Sequence, residues 1–120
     1  MQYLLMIFED ETKYGDDPNS QAWQDIVAAH GALAAEMEAA GVLRGGAGLM
    51  ATNLATTVRR QGQKVTIHDG PWAETREQLG GYYVIDVPDL DSALGWAKRI
   101  PMLGDGSVEI RPTIPEEPTT

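Results

Sequence analysis

The chain has 120 residues, of which 42% are hydrophobic, and its nine Lys and Arg against 18 Asp and Glu leave a formal net charge of −9. This length predicts one domain with a single core, and the acidic balance argues against binding to nucleic acid or to an anionic membrane. Without cysteine the chain has no disulfide, thiolate metal site or cysteine nucleophile. Without a signal-like or membrane-spanning apolar run, a cytoplasmic location is expected.

The first third of the chain predicts a strand and a helix. Residues 2–8 have the composition of a strand, and after a polar loop Asn19 or Ser20 is expected to cap a helix. Gly41 is expected to end that helix in the left-handed conformation. The helix is predicted from an apolar stripe at three- and four-residue spacing. This stripe consists of Trp23, Ile26, Val27, His30, Leu33, Ala34 and Met37.

The rest of the sequence predicts further strands, among them a hairpin, and a second helix. The Gly-rich segment 41–50 is interpreted as a strand with bulges or a close backbone approach. Residues 55–67 predict a hairpin that turns at Gly62. The later elements are a strand at 81–87, a helix capped by Asp89 or Asp91 and stopped by Pro101, a strand at 107–112, and a flexible tail at 115–120.

This order of elements predicts an α+β fold, a ferredoxin-like sandwich with an inserted β-hairpin, in one domain at 1–114. The first strand is apolar on both sides, with Tyr3, Leu5 and Ile7 on one face and Leu4, Met6 and Phe8 on the other. Helices cover only one face of such a sheet. The other face is expected to be covered by a second copy in a two-fold homodimer, or instead by the tail or the hairpin.

Asp69 comes directly before Gly70 and Pro71, in a sequence that is typical of a tight turn. Its carboxylate either bonds to amides of that turn or pairs with a histidine. His30, on the inward stripe of the first helix, is the favoured partner, and His68 is the alternative. A carboxylate beside a histidine raises the basicity of the ring, which suits acid–base catalysis. His30 and Asp69 are therefore the candidate catalytic residues, and a packed core histidine is the simpler alternative.

Four further side chains are candidates for binding a substrate, namely Arg59, Trp72, Glu74 and Tyr82. Arg59 would clamp an oxyanion or carboxylate, unless it is only an exposed cation on a strand. Glu74 would line a pocket or cap a short helical turn that is predicted after Pro71. Because neighbours on a strand face opposite sides, at most one of Tyr82 and Tyr83 is expected to line the cleft.

No metal and no cofactor are predicted. His30, His68 and Asp69 include the ligand types of a two-histidine, one-carboxylate site, but adjacent residues in a strand point apart. The Gly-rich segment lacks the Gly-Lys-Ser/Thr ending of a phosphate loop. No Gly-x-Ser-x-Gly motif supports covalent acyl transfer.

Several motifs carry a resemblance to a known family. The segment DGPWAETREQLGGYY at 69–83, with HGALAAEMEAAGVLRGGAGL at 30–49 and GSVEIRP at 106–112, resembles the YCII-related superfamily in the branch marked by a DGPF motif. The resemblance extends over about residues 2–114. Trp72 stands where Phe is usual, and His68 stands where a Thr is commoner.

The resemblance implies a ferredoxin-like fold assembled as a dimeric α+β barrel, with His30 and Asp69 as the active-site pair. Some family members resemble chloromuconolactone dehalogenases, and others accompany extracytoplasmic-function sigma factors. One hypothesis is therefore a small-molecule enzyme of isomerase, lyase or lactone-handling type that uses the pair for acid–base chemistry. The alternative is a non-catalytic module for ligand binding or regulation, linked to such a sigma factor.

Overall fold

The computed structural model describes residues 1–116, so residues 117–120 of the predicted tail lie outside the described part. The strands are β1 (Gln2–Glu9), β2 (Leu43–Gly48), β3 (Thr56–Gln61), β4 (Lys64–Asp69), β5 (Gln78–Asp86) and β6 (Gly106–Pro112). The helices are α1 (Gln21–Ala39) and α2 (Leu90–Ala97), and short 3-10 turns occupy Glu11–Tyr14 and Thr52–Leu54. Neither helix is long and apolar enough to cross a membrane, within residues 1–116.

The helix caps decide between the predicted alternatives. The Ser20 hydroxyl and the Asp89 carboxylate each accept a hydrogen bond from the backbone amide three residues ahead. Gly41 follows α1 with a φ of 75°, the left-handed conformation that glycine adopts without strain. The second helix ends at Ala97, earlier than expected, because the chain tightens into i to i−3 hydrogen bonds as it approaches Pro101.

Four strands form an antiparallel sheet in the order β2-β5-β1-β6. The helices connect strands that are not neighbours, so α1 leads from β1 to the edge strand β2, and α2 leads from β5 to the edge strand β6. Leu5 lies opposite Tyr83 on one side and Ile110 on the other. The ladder of β2 is irregular between Leu43 and Gly45, as its glycines predict. This α+β architecture is compatible with a ferredoxin-like sandwich.

The core lies between the two helices and one face of the sheet. It consists of Tyr3, Leu5, Ile7, Leu33, Met37, Tyr83, Ile85, Val87, Ala93, Ala97 and Ile100. On the opposite face Leu4, Met6, Phe8, Tyr82 and Val84 are half-buried. The predicted alternation of the two strands is therefore confirmed. Val27 departs from the predicted stripe, since it is 62% exposed.

The inserted hairpin, β3 and β4, is a separate two-stranded sheet. It turns at Gly62, as predicted, and pairs Val58 with Ile67. With Val65 these two side chains form one apolar face, and all three are exposed. The radius of gyration is 16.4 Å, above the ~14 Å of a compact domain of this length, because the hairpin extends from the body. A hairpin alone is at best marginally stable in water, which favours a partner for this face.

The helical turn predicted after Pro71 is wrong, since bends and irregular backbone lead from there into β5. The Thr75 hydroxyl donates to the Glu77 carbonyl at 2.6 Å. The side-chain amide of Gln78 donates to the carbonyls of Ala73 at 3.2 Å and of Thr75 at 2.8 Å. Such side-chain bonds compete with helical hydrogen bonds for the same backbone groups.

Candidate functional site

A cavity of about 340 Å³ opens between α1, β2, β5 and the 3-10 turn that follows β1. Its walls are mainly aromatic and aliphatic side chains, together with the glycine backbone of β2 and β5. The polar groups that face it are few. This combination of volume, apolar walls and few polar groups is typical of a site for a small molecule.

His30 and Tyr83 meet at the wall of this cavity. His30 on α1 and Tyr83 on β5 both occupy inward-facing positions. As a result, His30 Nδ1 lies 2.7 Å from the Tyr83 hydroxyl. Burial lowers the pKa of His30 below its ordinary value, against the smaller opposing effects of the Glu9 charge and the Pro101 carbonyl. The imidazole is therefore neutral at pH 7 and can accept a proton. Burial also raises the pKa of Tyr83, so its hydroxyl stays protonated.

Glu9 is a buried carboxylate in the same cavity wall, with 9% of its surface exposed. Its Oε1 accepts hydrogen bonds from the Tyr14 hydroxyl at 2.7 Å and from the Leu103 amide at 3.1 Å. The Tyr14 ring stacks on Trp23 with 4.4 Å between centroids. Burial, followed by the neighbouring Glu9, raises the pKa of Tyr14 well above its ordinary value, so this hydroxyl remains a donor.

Glu9 is not among the site residues that the motifs predict, although its position in the first strand indicates that it is buried. Glu9 continues the alternation of Tyr3, Leu5 and Ile7, so it falls on the buried face of β1. A carboxylate at an inward position is costly unless it is hydrogen-bonded, and such positions are often functional. Its partner Leu103, in contrast, is 94 positions away along the chain. No local pattern indicates that contact.

Asp69 ends β4 and borders a second, more open cavity together with Glu74 and Arg76. The two cavities are neighbours that share Glu11 and Gln78 in their walls. Within residues 1–116 no hydrogen bond or ion pair joins Asp69 to a histidine. His30 and Asp69 are therefore neither hydrogen-bonded nor ion-paired with each other within this chain.

His68 lies next to Asp69 on β4, opposite Thr57, while Asp69 lies opposite Thr56. The two side chains therefore point to opposite faces of the hairpin. Among residues 1–116 no three His, Asp or Glu side chains lie close enough together to hold a metal ion.

The other predicted binding residues are distributed between the cavities and the hairpin. Arg59 places its guanidinium 4.8 Å from the centroid of the exposed Trp72 ring, and neither residue borders either cavity. Glu74 borders the second cavity, and Tyr82 borders the first. The expectation that only one tyrosine lines the cleft is wrong, because Tyr83 also borders the first cavity. Because glycines without side chains line part of this cavity, it extends to two consecutive residues of β5.

The chain is similar to known proteins over nearly its whole length. The family model of the YCII-related domain matches residues 1–117. An uncharacterized protein of Rhizobium meliloti (strain 1021) is 34% identical over 117 residues, which cover 93% of this chain and 91% of the relative. These matches confirm the predicted relationship to YCII proteins, and the DGPF branch stays a prediction.

Proposed function

The chain belongs to the YCII-related family, and we propose that its first cavity binds a small molecule to which His30 transfers a proton. The observation that carries this proposal is the His30–Tyr83 contact of 2.7 Å at the cavity wall. An uncharged imidazole in such a cavity is suited to isomerase, lyase or lactone-handling reactions. Acid–base catalysis of this kind typically contributes about 10²–10⁴-fold to the rate.

The neighbouring groups have distinct roles in this proposal. Tyr83 is a positioning residue, because its hydroxyl at Nδ1 sets the orientation and tautomer of the ring. Glu9 stabilises the imidazolium that forms when His30 accepts a proton, since its charge raises the pKa of His30. This is the role that the sequence predicted for Asp69.

A role for Asp69 remains part of the proposal. Because the two cavities share Glu11 and Gln78, a ligand that extends through both would contact His30 and Asp69 together. Glu74 would then bind the distal part of that ligand in the second cavity. Arg59 and Trp72 would contribute only if the hairpin approached a cavity of another copy.

An NMR pH titration of the His30 ring is expected to give a midpoint below 6.5. Glu9→Gln should lower this midpoint further, because it removes the negative charge that favours the imidazolium. Asp69→Asn should have the same effect only if Asp69 also acts on the ring. His68→Gln assigns the two histidine resonances. A midpoint above 6.5, or one that Glu9→Gln leaves unchanged, would contradict the proposed site.

The proposed proton transfer can also be tested by measuring activity. Small lactones and oxo compounds are incubated with the protein in D₂O, and deuterium incorporation is followed by NMR. His30→Gln is expected to reduce incorporation by about 10²–10⁴-fold, whereas the exposed His68→Gln should not change it. Equal incorporation by wild type and His30→Gln would remove His30 from the mechanism.

The alternative is a non-catalytic regulatory module, and the exposed face of the hairpin favours it. Val58, Val65 and Ile67 are 65%, 47% and 71% exposed, which is a surface suited to a protein partner. The link to a sigma factor stays a prediction of the resemblance. This alternative predicts that changes on the hairpin abolish function in the cell while His30→Gln does not.

We also propose that the protein is a homodimer. The proposal is supported by the sheet face that neither helix covers, which carries Leu4, Met6, Phe8, Tyr82 and Val84, and by the apolar hairpin face. Sedimentation equilibrium is expected to give twice the mass of the chain. Met6→Glu, in the centre of this face, should shift the equilibrium toward monomer, whereas Thr66→Glu on the other face of the hairpin should not. A wild-type monomer at micromolar concentration would contradict the proposal.

A further inference from the structure

The two oxygens of the Glu9 carboxylate have different surroundings. Oε1 accepts the hydrogen bonds from Tyr14 and Leu103, whereas Oε2 accepts none from residues 1–116. Every fully buried side-chain oxygen or nitrogen in the described residues has a hydrogen-bond partner. Oε2 is therefore not sealed inside the protein, and it reaches accessible space.

Gly80 provides the opening beside that oxygen. A Cβ added to Gly80 would lie 3.8 Å from Glu9 Oε2, and both residues border the cavity. The register of β1 and β5 changes here, because Ile7 pairs with Gly81 while Phe8 pairs with Leu79. Gly80 is thus the additional residue of a β-bulge, a feature that commonly re-aims groups next to functional sites. No side chain at this position separates the oxygen from the cavity.

Among the described residues, the charged side chains that border the cavity are acidic. Its described wall contains the carboxylates of Glu9 and Glu11 and no Lys or Arg. Glu11 is engaged by Thr52, whose amide and hydroxyl donate to its two oxygens. His30 is neutral at pH 7 because burial lowers its pKa. A ligand carboxylate would therefore be repelled, and a cation or a hydrogen-bond donor would be favoured.

The remainder of the wall suits a flat apolar body. The stacked pair of Tyr14 and Trp23 borders the cavity, and so does Tyr83. The electron-rich faces of such rings attract cations as well as apolar groups. We propose that the cavity selects a small aromatic or apolar molecule with an ammonium or N–H group, which docks on Glu9 Oε2. This inference rests on the proposed function, and it names the class of ligand for the same cavity.

Three probes that each carry a phenyl ring on a two-carbon chain test this selectivity. Phenethylammonium, 2-phenylethanol and phenylacetate carry a positive, a neutral and a negative head group. Their dissociation constants are measured at pH 7 by NMR titration of the full chain. The ammonium should bind most tightly and phenylacetate most weakly, with at least about a tenfold difference between them, which corresponds to about 1.4 kcal/mol. Equal binding, tighter binding of phenylacetate, or no binding by any probe would overturn the inference.

Two variants locate the selectivity at Glu9. Glu9→Gln keeps an oxygen for Tyr14 and Leu103 but replaces Oε2 by an amide donor, so the preference for the ammonium should disappear. Gly80→Ala provides a second route if Glu9→Gln fails to fold, because its methyl group would stand in ordinary contact with Oε2 and weaken ammonium binding. Glu38→Gln, which changes an exposed carboxylate that borders neither cavity, is the matched control and should retain the order. A preference that survives both Glu9→Gln and Gly80→Ala would overturn the assignment to Glu9.

The outcomes separate this inference from the proposed function. The order of the three probes tests Glu9 as the docking group, whereas the loss of deuterium incorporation in His30→Gln tests His30 as the proton acceptor. Incorporation without the expected order rejects the ligand class and leaves the proton transfer standing. The expected order without incorporation rejects the catalytic role and supports the ligand class.

Discussion

Replacing Leu5 by alanine is expected to lower the free energy of unfolding by about 2–5 kcal/mol. Leu5 is 0% exposed and lies in β1, between Tyr83 of β5 and Ile110 of β6. Both neighbouring strands are held by ladder hydrogen bonds, so the sheet cannot collapse into the space that the leucine leaves. The loss therefore includes the cavity as well as the transfer of the removed methyl groups.

Urea unfolding measures this loss, with an unchanged m-value as the sign that the unfolding transition is otherwise the same. Leu4→Ala is the matched control, since Leu4 is adjacent on the same strand but half-buried on the face without helices. Its effect should be smaller and should depend on protein concentration, because that face is the proposed dimer interface. Equal losses for the two variants at high dilution would contradict the placement of the core.

The second large effect is expected from Gly46→Ala, which should destabilise the protein by about 1–3 kcal/mol through overpacking. A Cβ on Gly46 would lie 2.7 Å from the carbonyl oxygen of Tyr82 and 3.2 Å from Tyr83 Cδ1. The carbonyl belongs to the backbone of β5, so it cannot move away without disturbing the ladder between β2 and β5. The strain falls directly on the tyrosine that contacts His30.

The variant is therefore expected to change the His30 resonances in NMR spectra as well as the midpoint of unfolding. Gly48→Ala is the control, because a Cβ on Gly48 of the same strand meets nothing within 4 Å. If Gly46→Ala were as stable as Gly48→Ala, the close approach of β2 to β5 would be wrong. A loss of stability without any change at His30 would show that the strain is relieved away from the site.

Local chemistry accounts for the parts of the fold that the sequence predicted correctly. Alternation along the first strand placed Leu5 and Leu4 on opposite faces, and both expectations are confirmed by their burial. Asp89 and Gly41 mark helix ends through hydrogen bonding and backbone freedom that depend on a few adjacent residues. The irregular strand at the glycines of β2 follows from the same kind of local rule.

Predictions failed where local rules compete with one another. The segment after Pro71 has residues that are able to form a helical turn, but the side chains of Thr75 and Gln78 take backbone carbonyls there. Strand alternation predicts that Tyr82 and Tyr83 point to opposite faces, but it does not predict how far a cavity extends along the strand.

The sequence by itself determined the family, the strand and helix pattern and the inward position of His30, because each depends on local spacing or on a long shared motif. Only the tertiary structure decided the partners of the site. Tyr83 reaches His30 across 53 positions of the chain, and Leu103 reaches Glu9 across 94. Those contacts arise from the packing of α1 on the sheet and from the return of the chain after α2. No periodicity encodes them, since each depends on where separate elements come to lie together.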